Sequence, residues 1–152
     1  MKYIFHLGRD AELSILEVVS YLERTDRKYK ILKITKRIFL IEIDRFDPLE
    51  AIICLGGTTK ISAETKNPDE AILQKIASST KNKLNYGINF FESSKTELKK
   101  VIEIIKTISK EQKIKALHKN SSERDIPPSK SSNLDLELTL FKNKVYVVSA
   151  VS

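Results

Sequence analysis

The chain has 152 residues, of which 41% are hydrophobic and 31% charged. This length suits one domain of ordinary size or two very small ones, and it buries enough apolar surface to fold without cross-links. The single cysteine, Cys54, excludes an internal disulfide. No apolar run approaches the roughly 18 residues that span a bilayer, and the N-terminal segment lacks a secretory signal pattern, so we expect a cytoplasmic protein.

The net charge of +7 is concentrated in one third of the chain. Residues 81–130 carry twelve Lys or Arg against six Asp or Glu. Residues 1–80 carry thirteen against twelve, and residues 131–152 carry two against two. Such a concentration is typical of a surface that binds phosphate groups. A general lysine bias in the composition is the alternative explanation.

The first 65 residues contain four β-rich runs and two amphipathic segments. We predict strands over residues 2–7, 29–35, 38–43 and 58–63. Helices are predicted after Asp10 and Asp47, because Asp is a favoured N-cap. Pro48 suits the first turn of the second helix, and Gly56-Gly57 is expected to end it. The order β-α-β-β-α-β predicts an α+β chain that opens with a ferredoxin-like domain over residues 1–65.

The remaining residues are predicted to form a linker and a second domain. Asn67-Pro68 opens a linker helix within residues 66–82, which extends to about Ser79. A second small α/β unit follows over residues 83–152. Its predicted strands cover residues 84–91, 114–118, 134–140 and 145–151. A long helix with a Ser94/Glu97 capping box follows the first of these strands, and its predicted buried stripe contains Leu98, Val101, Ile102, Ile105 and Ile108.

Residues that could carry catalysis are scarce. His6 and His118 are the two histidines, and no cluster has the ligand spacing of a zinc site. His6 lies in an apolar strand and is predicted to be packed in the core. Cys54 lies between apolar residues on a helix and is predicted to be a buried, inert thiol. We therefore predict no catalytic residue, no metal site and no cofactor within this chain.

The long helix and the residues after it carry a candidate phosphate-binding surface. Residues 119–133, KNSSERDIPPSKSSN, are rich in Ser and Pro and are expected to form a mobile loop. The aromatic residues of the second unit lie in or beside a core strand, so we expect recognition of shape and backbone rather than base stacking. The candidate binding residues are Lys95, Lys99, Lys106, Lys110, Lys113, Lys115, Lys119, Arg124, Lys130 and Asn133.

Three segments resemble a known family. Residues 3–14, YIFHLGRDAELS, resemble the opening strand and "LGRNPELS"-like segment of THUMP-containing tRNA guanine-N2 methyltransferases of the archaeal type. Residues 55–61, LGGTTKI, resemble the "LGGTxKI" segment that closes their ferredoxin-like unit. Residues 85–88, NYGI, resemble the "YGIS"-like strand that opens the THUMP part. The resemblance runs in the right order across nearly the whole chain.

The resemblance implies that residues 83–152 form a THUMP-like RNA-binding domain. In that family the two N-terminal units hold the tRNA by its acceptor stem and 3′ end, and a C-terminal domain transfers a methyl group from S-adenosylmethionine. Relatives continue into that catalytic domain beyond the position of Ser152. We therefore expect either a truncated chain, with the methyltransferase domain as its partner in cis, or a stand-alone binding module. Residues 124–133 depart from the family by lacking its "LSSA"-like stretch.

A second hypothesis is a dimeric, ferredoxin-like regulatory or protein-interaction module. Edge strands of such folds pair readily with other chains. Lysines scattered around all sides of the fold would favour this hypothesis, whereas lysines gathered into one surface favour RNA binding. A compact hydrolase is a third possibility, and the sequence argues against it because it shows no paired nucleophile and base.

Overall fold

A computed structural model of the chain describes residues 1–78, 82–120 and 124–152. The chain is mixed α+β, as predicted, and combines a ferredoxin-like unit with an α/β unit. Residues 1–64 and 148–152 form the first compact unit, and residues 65–147 form the second. The predicted residues 79–81 of the linker, which include the expected helix end at Ser79, and residues 121–123 of the loop lie outside the described residues.

The described residues contain eight strands and five helices, and all the predicted ones are present. The strands are β1 (Lys2–Leu7), β2 (Tyr29–Ile34), β3 (Ile38–Ile43), β4 (Thr58–Glu64), β5 (Lys83–Phe91), β6 (Lys115–His118), β7 (Leu136–Phe141) and β8 (Lys144–Val151). The helices are α1 (Ala11–Arg24), α2 (Pro48–Cys54), α3 (Pro68–Ala77), α4 (Lys95–Glu111) and α5 (Pro128–Ser131). The short helix α5 lies within a segment for which the sequence predicted a loop.

The first unit has the ferredoxin-like strand order β2-β3-β1-β4, with the end of β8 beside β4. All of the pairings among β1 to β4 are antiparallel. Helices α1 and α2 start where the sequence predicts, because the carboxylates of Asp10 and Asp47 accept hydrogen bonds from backbone N–H groups of the first turn. Both helices pack on one face of the sheet, against a core that includes Phe5, Phe39 and Ile41.

Two glycines bring the start of α1 against the end of α2. The Gly8 N–H donates a hydrogen bond to the Gly57 carbonyl at 2.7 Å, and the Ser14 hydroxyl donates to the same carbonyl at 2.9 Å. A Cβ on Gly8 would lie 2.6 Å from that carbonyl oxygen. Helix α2 ends just before Gly56-Gly57, as predicted, although neither glycine has positive φ. Instead, glycine permits the close approach of two backbones.

Polar side chains occupy the opposite face of the first sheet. His6, Lys60 and Ser62 are all buried there, and His6 is 4% exposed, which confirms the prediction of a core histidine. The His6 Nε2 and Ser62 Oγ atoms are 2.8 Å apart. Burial, with the Lys60 ammonium nearby, lowers the pKa of His6 to about 3. His6 is therefore neutral at physiological pH.

The second unit has the strand order β7-β5-β6, with the start of β8 beside β7. Strand β5 is parallel to both neighbours, and β7 and β8 form an antiparallel hairpin. Helices α3 and α4 cover one face, where Ile72 of α3 and Val101 of α4 join the side chains of Leu84, Tyr86 and Ile88. The predicted linker helix is thus part of the core of the second unit.

The end of the chain also lies in a different unit from the one predicted. Residues 148–152, at the end of β8, contact the first unit rather than the second. The backbone N–H of Ser152 donates to the Thr59 carbonyl at 2.9 Å, which places the last residue of the chain beside β4. Pairing between strands of distant sequence position leaves no local pattern, so the sequence did not reveal this exchange.

The environment of Cys54 differs from the prediction. Cys54 is exposed at the end of α2, so the prediction of a buried thiol is wrong. The apolar neighbours that suggested burial divide between two sides, because Ile52 faces the core and Ile53 faces solvent.

Within the described residues, none of the helices combines the length and apolar character needed to cross a bilayer.

Candidate nucleic-acid interface

The positive charge of the chain belongs almost entirely to the second unit. Residues 65–147 hold sixteen Lys or Arg and ten Asp or Glu, a net charge of +6. The first unit holds eleven and ten, a net charge of +1. The second unit is therefore the part of the chain with the charge to attract a polyanion.

One row of lysines runs along α4. Lys95, Lys99, Lys106 and Lys110 are separated by four, seven and four residues, which places them on one stripe of the helix. All four are exposed. The stripe flanks the buried side of α4, and Lys106 lies close enough to His118 on β6 to influence its pKa. The row therefore lies on the side of α4 that faces the β6 edge of the sheet.

A second row of cations follows the edge of β5. Strand β6 begins at Lys115, opposite Lys83 of β5. Immediately after β6, the Lys119 N–H donates to the Tyr86 carbonyl at 2.9 Å. Farther along, the Arg124 carbonyl accepts from the Phe90 N–H at 2.7 Å. Lys115, Lys119 and Arg124 thus lie at successive levels of one sheet edge.

Acidic residues are present near these rows but do not alternate with every lysine. Glu103 lies within the stripe, four residues after Lys99 and three before Lys106. It is close enough to Tyr86 to contribute to raising the pKa of that side chain, which burial raises most. Glu97 lies on another side of the helix and forms a surface ion pair with Lys100 at 3.2 Å. Exposed pairs of this kind add little stability, so this pairing leaves the stripe itself unaffected.

A cavity of about 440 Å³ opens on the face of the sheet opposite the helices. Its lining is dominated by amides and ammonium groups, with two apolar side chains. The lining residues are Asn85, Lys119, Asn120, Ile126, Lys130, Asn133 and Leu134. Three of the ten predicted binding residues, Lys119, Lys130 and Asn133, therefore meet at one cavity. Cations and amides beside two aliphatic side chains suit a phosphate-bearing group that also has an apolar part.

The floor of the cavity is held by Asn120, which is buried. Its Nδ2 donates to the Ile88 carbonyl at 2.7 Å, and its Oδ1 accepts from the Ile88 N–H at 3.0 Å. The side-chain amide therefore replaces one residue of a neighbouring strand beyond the end of β6. The sequence analysis missed Asn120, although an isolated amide directly after an edge strand is a usable signal.

Both described parts of the segment after β6 are hydrogen-bonded to the sheet. The Asn89 Oδ1 accepts from the Ile126 N–H at 2.9 Å, and the Asn89 Nδ2 donates to Glu137 at 2.8 Å. A Cβ on Gly87 would lie 2.5 Å from Ile126 Cδ1 and 2.9 Å from Leu134 Cδ1. Buried amides thus anchor residues 120 and 126 of this segment to β5.

Asn85 adds an unsatisfied acceptor to the cavity wall. Its backbone exchanges hydrogen bonds with Asp135, but its buried Oδ1 has no hydrogen-bond partner among the described residues. A buried acceptor without a donor is unfavourable by roughly 1–3 kcal/mol, so a ligand donor would stabilise it. Amides are disfavoured within strands, so Asn85 in β5 was a usable signal that the sequence analysis missed.

His118 and Tyr86 stack with ring centroids 4.9 Å apart, and Tyr86 packs in the core of the second unit. Burial lowers the pKa of His118, the hydrogen bond with Asn120 opposes this, and Lys106 lowers it further. His118 is thus neutral at physiological pH. The Asn120 Oδ1 already accepts from Ile88, so the His118 Nε2 at 3.0 Å is the protonated nitrogen and donates to it.

Two further predicted binding residues, Arg124 and Lys113, lie near the same edge of the sheet. Arg124 lies with its guanidinium 5.8 Å from the centre of the Phe90 ring, which holds it at the sheet edge. Lys113 follows the end of α4 with a φ of 57°, next to Lys115.

No group of three or more His, Cys, Asp or Glu side chains that could hold a metal is found in residues 1–78, 82–120 and 124–152.

The fold is similar to that of a solved structure, PH1313 from Pyrococcus horikoshii Ot3. The TM-score is 0.53 at 16% sequence identity, over 97% of this chain. The chain spans about half of that protein's length, or 53%. At this identity the similarity establishes a shared fold alone. No protein-family model and no curated protein matches the chain.

Proposed function

We propose that this chain is an RNA-binding module whose second unit carries the principal contact surface. The observation that carries the proposal is the union of two cation rows with an amide-lined cavity. Lys119 belongs to both features, since it continues the row at the β6 edge and also lines the cavity. A polyanion following the rows would therefore bring one of its groups to the cavity mouth.

The geometry favours backbone recognition with a single inserted group. The lysines of α4 and of the β6 edge are exposed and suited to phosphates. The aromatic Tyr86 is buried against His118 and offers no face for stacking successive bases. Structured RNA, recognised by the spacing of its phosphates, fits this arrangement better than an extended single strand.

The resemblance to THUMP-containing tRNA methyltransferases makes tRNA the first RNA to test. On that proposal the module holds the RNA end while a methyltransferase domain, which would bind S-adenosylmethionine, modifies a base elsewhere on the molecule. Fixing distance and orientation in this way can lower a barrier by several kcal/mol without any reactive side chain in the module. The candidate catalytic partner is thus a separate domain acting in cis or in trans.

The charge distribution supports RNA binding over the alternative of a dimeric regulatory module. That alternative predicts lysines scattered around the fold. Residues 65–147 instead carry six excess positive charges, and the lysines of α4 and of the β6 edge, which belong to this segment, are aligned in rows. Light scattering of the purified chain separates the two proposals further, since the dimer hypothesis requires a mass near twice 17.4 kDa.

The test is charge reversal within the proposed surface. A variant carrying Lys99→Glu, Lys106→Glu, Lys113→Glu and Lys115→Glu should lose tRNA retention in a low-salt filter-binding assay. The matched control reverses four exposed lysines elsewhere in the same unit, which are Lys66, Lys75, Lys100 and Lys144. Both variants change the net charge by the same amount, so only location differs. Equal loss in the two variants, or retention in the first, would contradict the proposed surface, provided circular dichroism shows both folded.

A further inference from the structure

The first unit presents an apolar surface on the outer side of its helical layer. Leu13 and Leu16 of α1 are 54% and 61% exposed, and Leu49 and Ile53 of α2 are 63% and 85% exposed. Single exposed aliphatic residues are ordinary, but four large ones on two adjacent helices are typical of an interaction site. We call these four residues the α1/α2 apolar face.

Contacts between the two helices show that they lie side by side. The Glu17 carboxylate of α1 accepts from the Gly56 N–H at 2.9 Å. One helical turn later, Tyr21 lies close enough to Glu50 and Cys54 of α2 for both to contribute to raising its pKa, after burial, which raises it most. The helices therefore run antiparallel in contact, with Glu17, Tyr21, Glu50 and Cys54 on the sides that face each other, and Leu16 and Ile53 are exposed on the outer side of the pair.

The charge around this face is opposite to that of the second unit. Helices α1 and α2 with their N-caps, residues 10–24 and 47–54, contain six Asp or Glu and a single basic residue, Arg24. Glu12, Glu17 and Glu50 lie on the same helices as the four exposed aliphatic residues. An acidic rim repels RNA and anionic lipid, and it also repels a second copy of the same face.

We propose that the α1/α2 apolar face docks a basic amphipathic helix of a partner protein. The apolar stripe of that helix would lie across the outer side of α1 and α2, burying the side chains of Leu16 and Ile53. Its lysine or arginine side chains would meet the carboxylates of Glu12 and Glu50. The proposal rests on the combination of exposed aliphatic residues and acidic residues on the same two helices, which matches a helix with one apolar and one basic side.

This surface is independent of the proposed RNA surface, because it is built entirely from residues of the first unit. Its sign and its apolar character exclude a role in holding phosphates. The failure of either proposal therefore does not decide the other.

The test uses the full chain and a defined probe. The probe is a fluorescent synthetic helix of repeated leucine and lysine at heptad spacing, and binding is followed by anisotropy. The double variant Leu16→Ser with Ile53→Ser should weaken binding about tenfold, a change of about 1.4 kcal/mol. The matched control is Ile31→Ser with Ile34→Ser, which removes two exposed aliphatic residues from β2.

Several outcomes would overturn the proposal. Equal affinity of the two double variants shows that the probe binds elsewhere. Equal affinity for a probe in which glutamate replaces every lysine shows that the acidic rim plays no part. A dimer of the unmodified chain that Leu16→Ser with Ile53→Ser converts to monomer shows that a second copy is the occupant. Recovery of the chain on vesicles of neutral lipid, if it is lost in the variant with Leu16→Ser and Ile53→Ser, shows that a membrane surface is the occupant.

Discussion

The side-chain amide of Asn120 pairs with both backbone polar groups of Ile88, at 2.7 and 3.0 Å. This pairing extends the sheet beyond the end of β6 and forms the floor of the cavity. Because the amide satisfies two buried backbone groups at once, the stability of β5 and the shape of the cavity depend on the same side chain.

Asn120→Ala should therefore destabilise the chain. It leaves the Ile88 N–H and carbonyl without partners, and each buried unsatisfied group is unfavourable by roughly 1–3 kcal/mol. We expect a loss of about 2–4 kcal/mol in the free energy of unfolding, measured by urea denaturation. Asn133→Ala, at an exposed residue lining the same cavity, should change it by less than about 0.5 kcal/mol. Equal effects of the two variants would contradict this assignment.

Gly8→Ala should destabilise the first unit more than Gly56→Ala. A Cβ on Gly8 would meet the Gly57 carbonyl oxygen at 2.6 Å, and a backbone oxygen cannot turn away as a side chain can. A Cβ on Gly56 would meet the Glu17 carboxylate at 3.6 Å, an ordinary contact. We expect a loss of about 1–3 kcal/mol for the first variant and little change for the second, by urea denaturation. Comparable losses would show that close approach is not the reason for glycine at position 8.

The neutral state of His6 should make the chain sensitive to acid. The pKa of His6 is lowered to about 3, against about 6.5 in the unfolded chain, so the unfolded state binds a proton first as the pH falls. Its contribution to stability is complete above pH 6.5 and is lost progressively as the pH falls from about 6.5 toward 3.

A titration of stability isolates this effect. His6→Gln removes the titrating group, so the difference in unfolding free energy between the original chain and the variant should fall by up to about 1.4 kcal/mol per pH unit between roughly pH 6 and 4. Carboxylates titrate in both proteins and cancel in the difference. A difference that stays constant over this range would show that His6 is not held neutral.

The salt dependence of RNA binding should report the number of lysines that contact phosphates. If five of the proposed cations do so, the slope of log K against log salt is roughly −4. Lys106→Ala should make the slope less negative by about one, whereas Lys100→Ala, on another side of α4, should leave it unchanged. A slope insensitive to Lys106 would remove this residue from the contact surface.

The sequence predicted the elements well because local signals determine them. Asp10 and Ser94 cap their helices as expected, and the order of strands and helices correctly indicated a ferredoxin-like unit. The alternation of leucines in β7 correctly indicated a strand, with Leu136 and Leu138 facing the helices. Its other face is also buried, which the alternation with Glu137 did not predict.

The candidate site was less predictable, because it depends on contacts distant in sequence. The stripe on α4 follows from helical periodicity, so Lys99 and Lys106 could be placed on one side from the sequence. The cavity instead joins Asn85 to Asn133 across nearly fifty residues, which no periodic pattern reveals. The segment after β6 was predicted to be a loop from its Ser and Pro content, and the amides that anchor it, Asn120 within the segment and Asn89 on β5, carry no periodic signal.

The division of β8 between the two units has a consequence for synthesis. Residues 1–64 leave the ribosome well before residues 148–152, which supply the strand that lies beside β4. During translation the first unit therefore carries an unprotected sheet edge at β4, while the whole of the intervening 65–147 segment is being made. Nascent chains expose such edges to other growing polypeptides, so chaperone occupancy should be highest in this interval and should end with the arrival of the final strand.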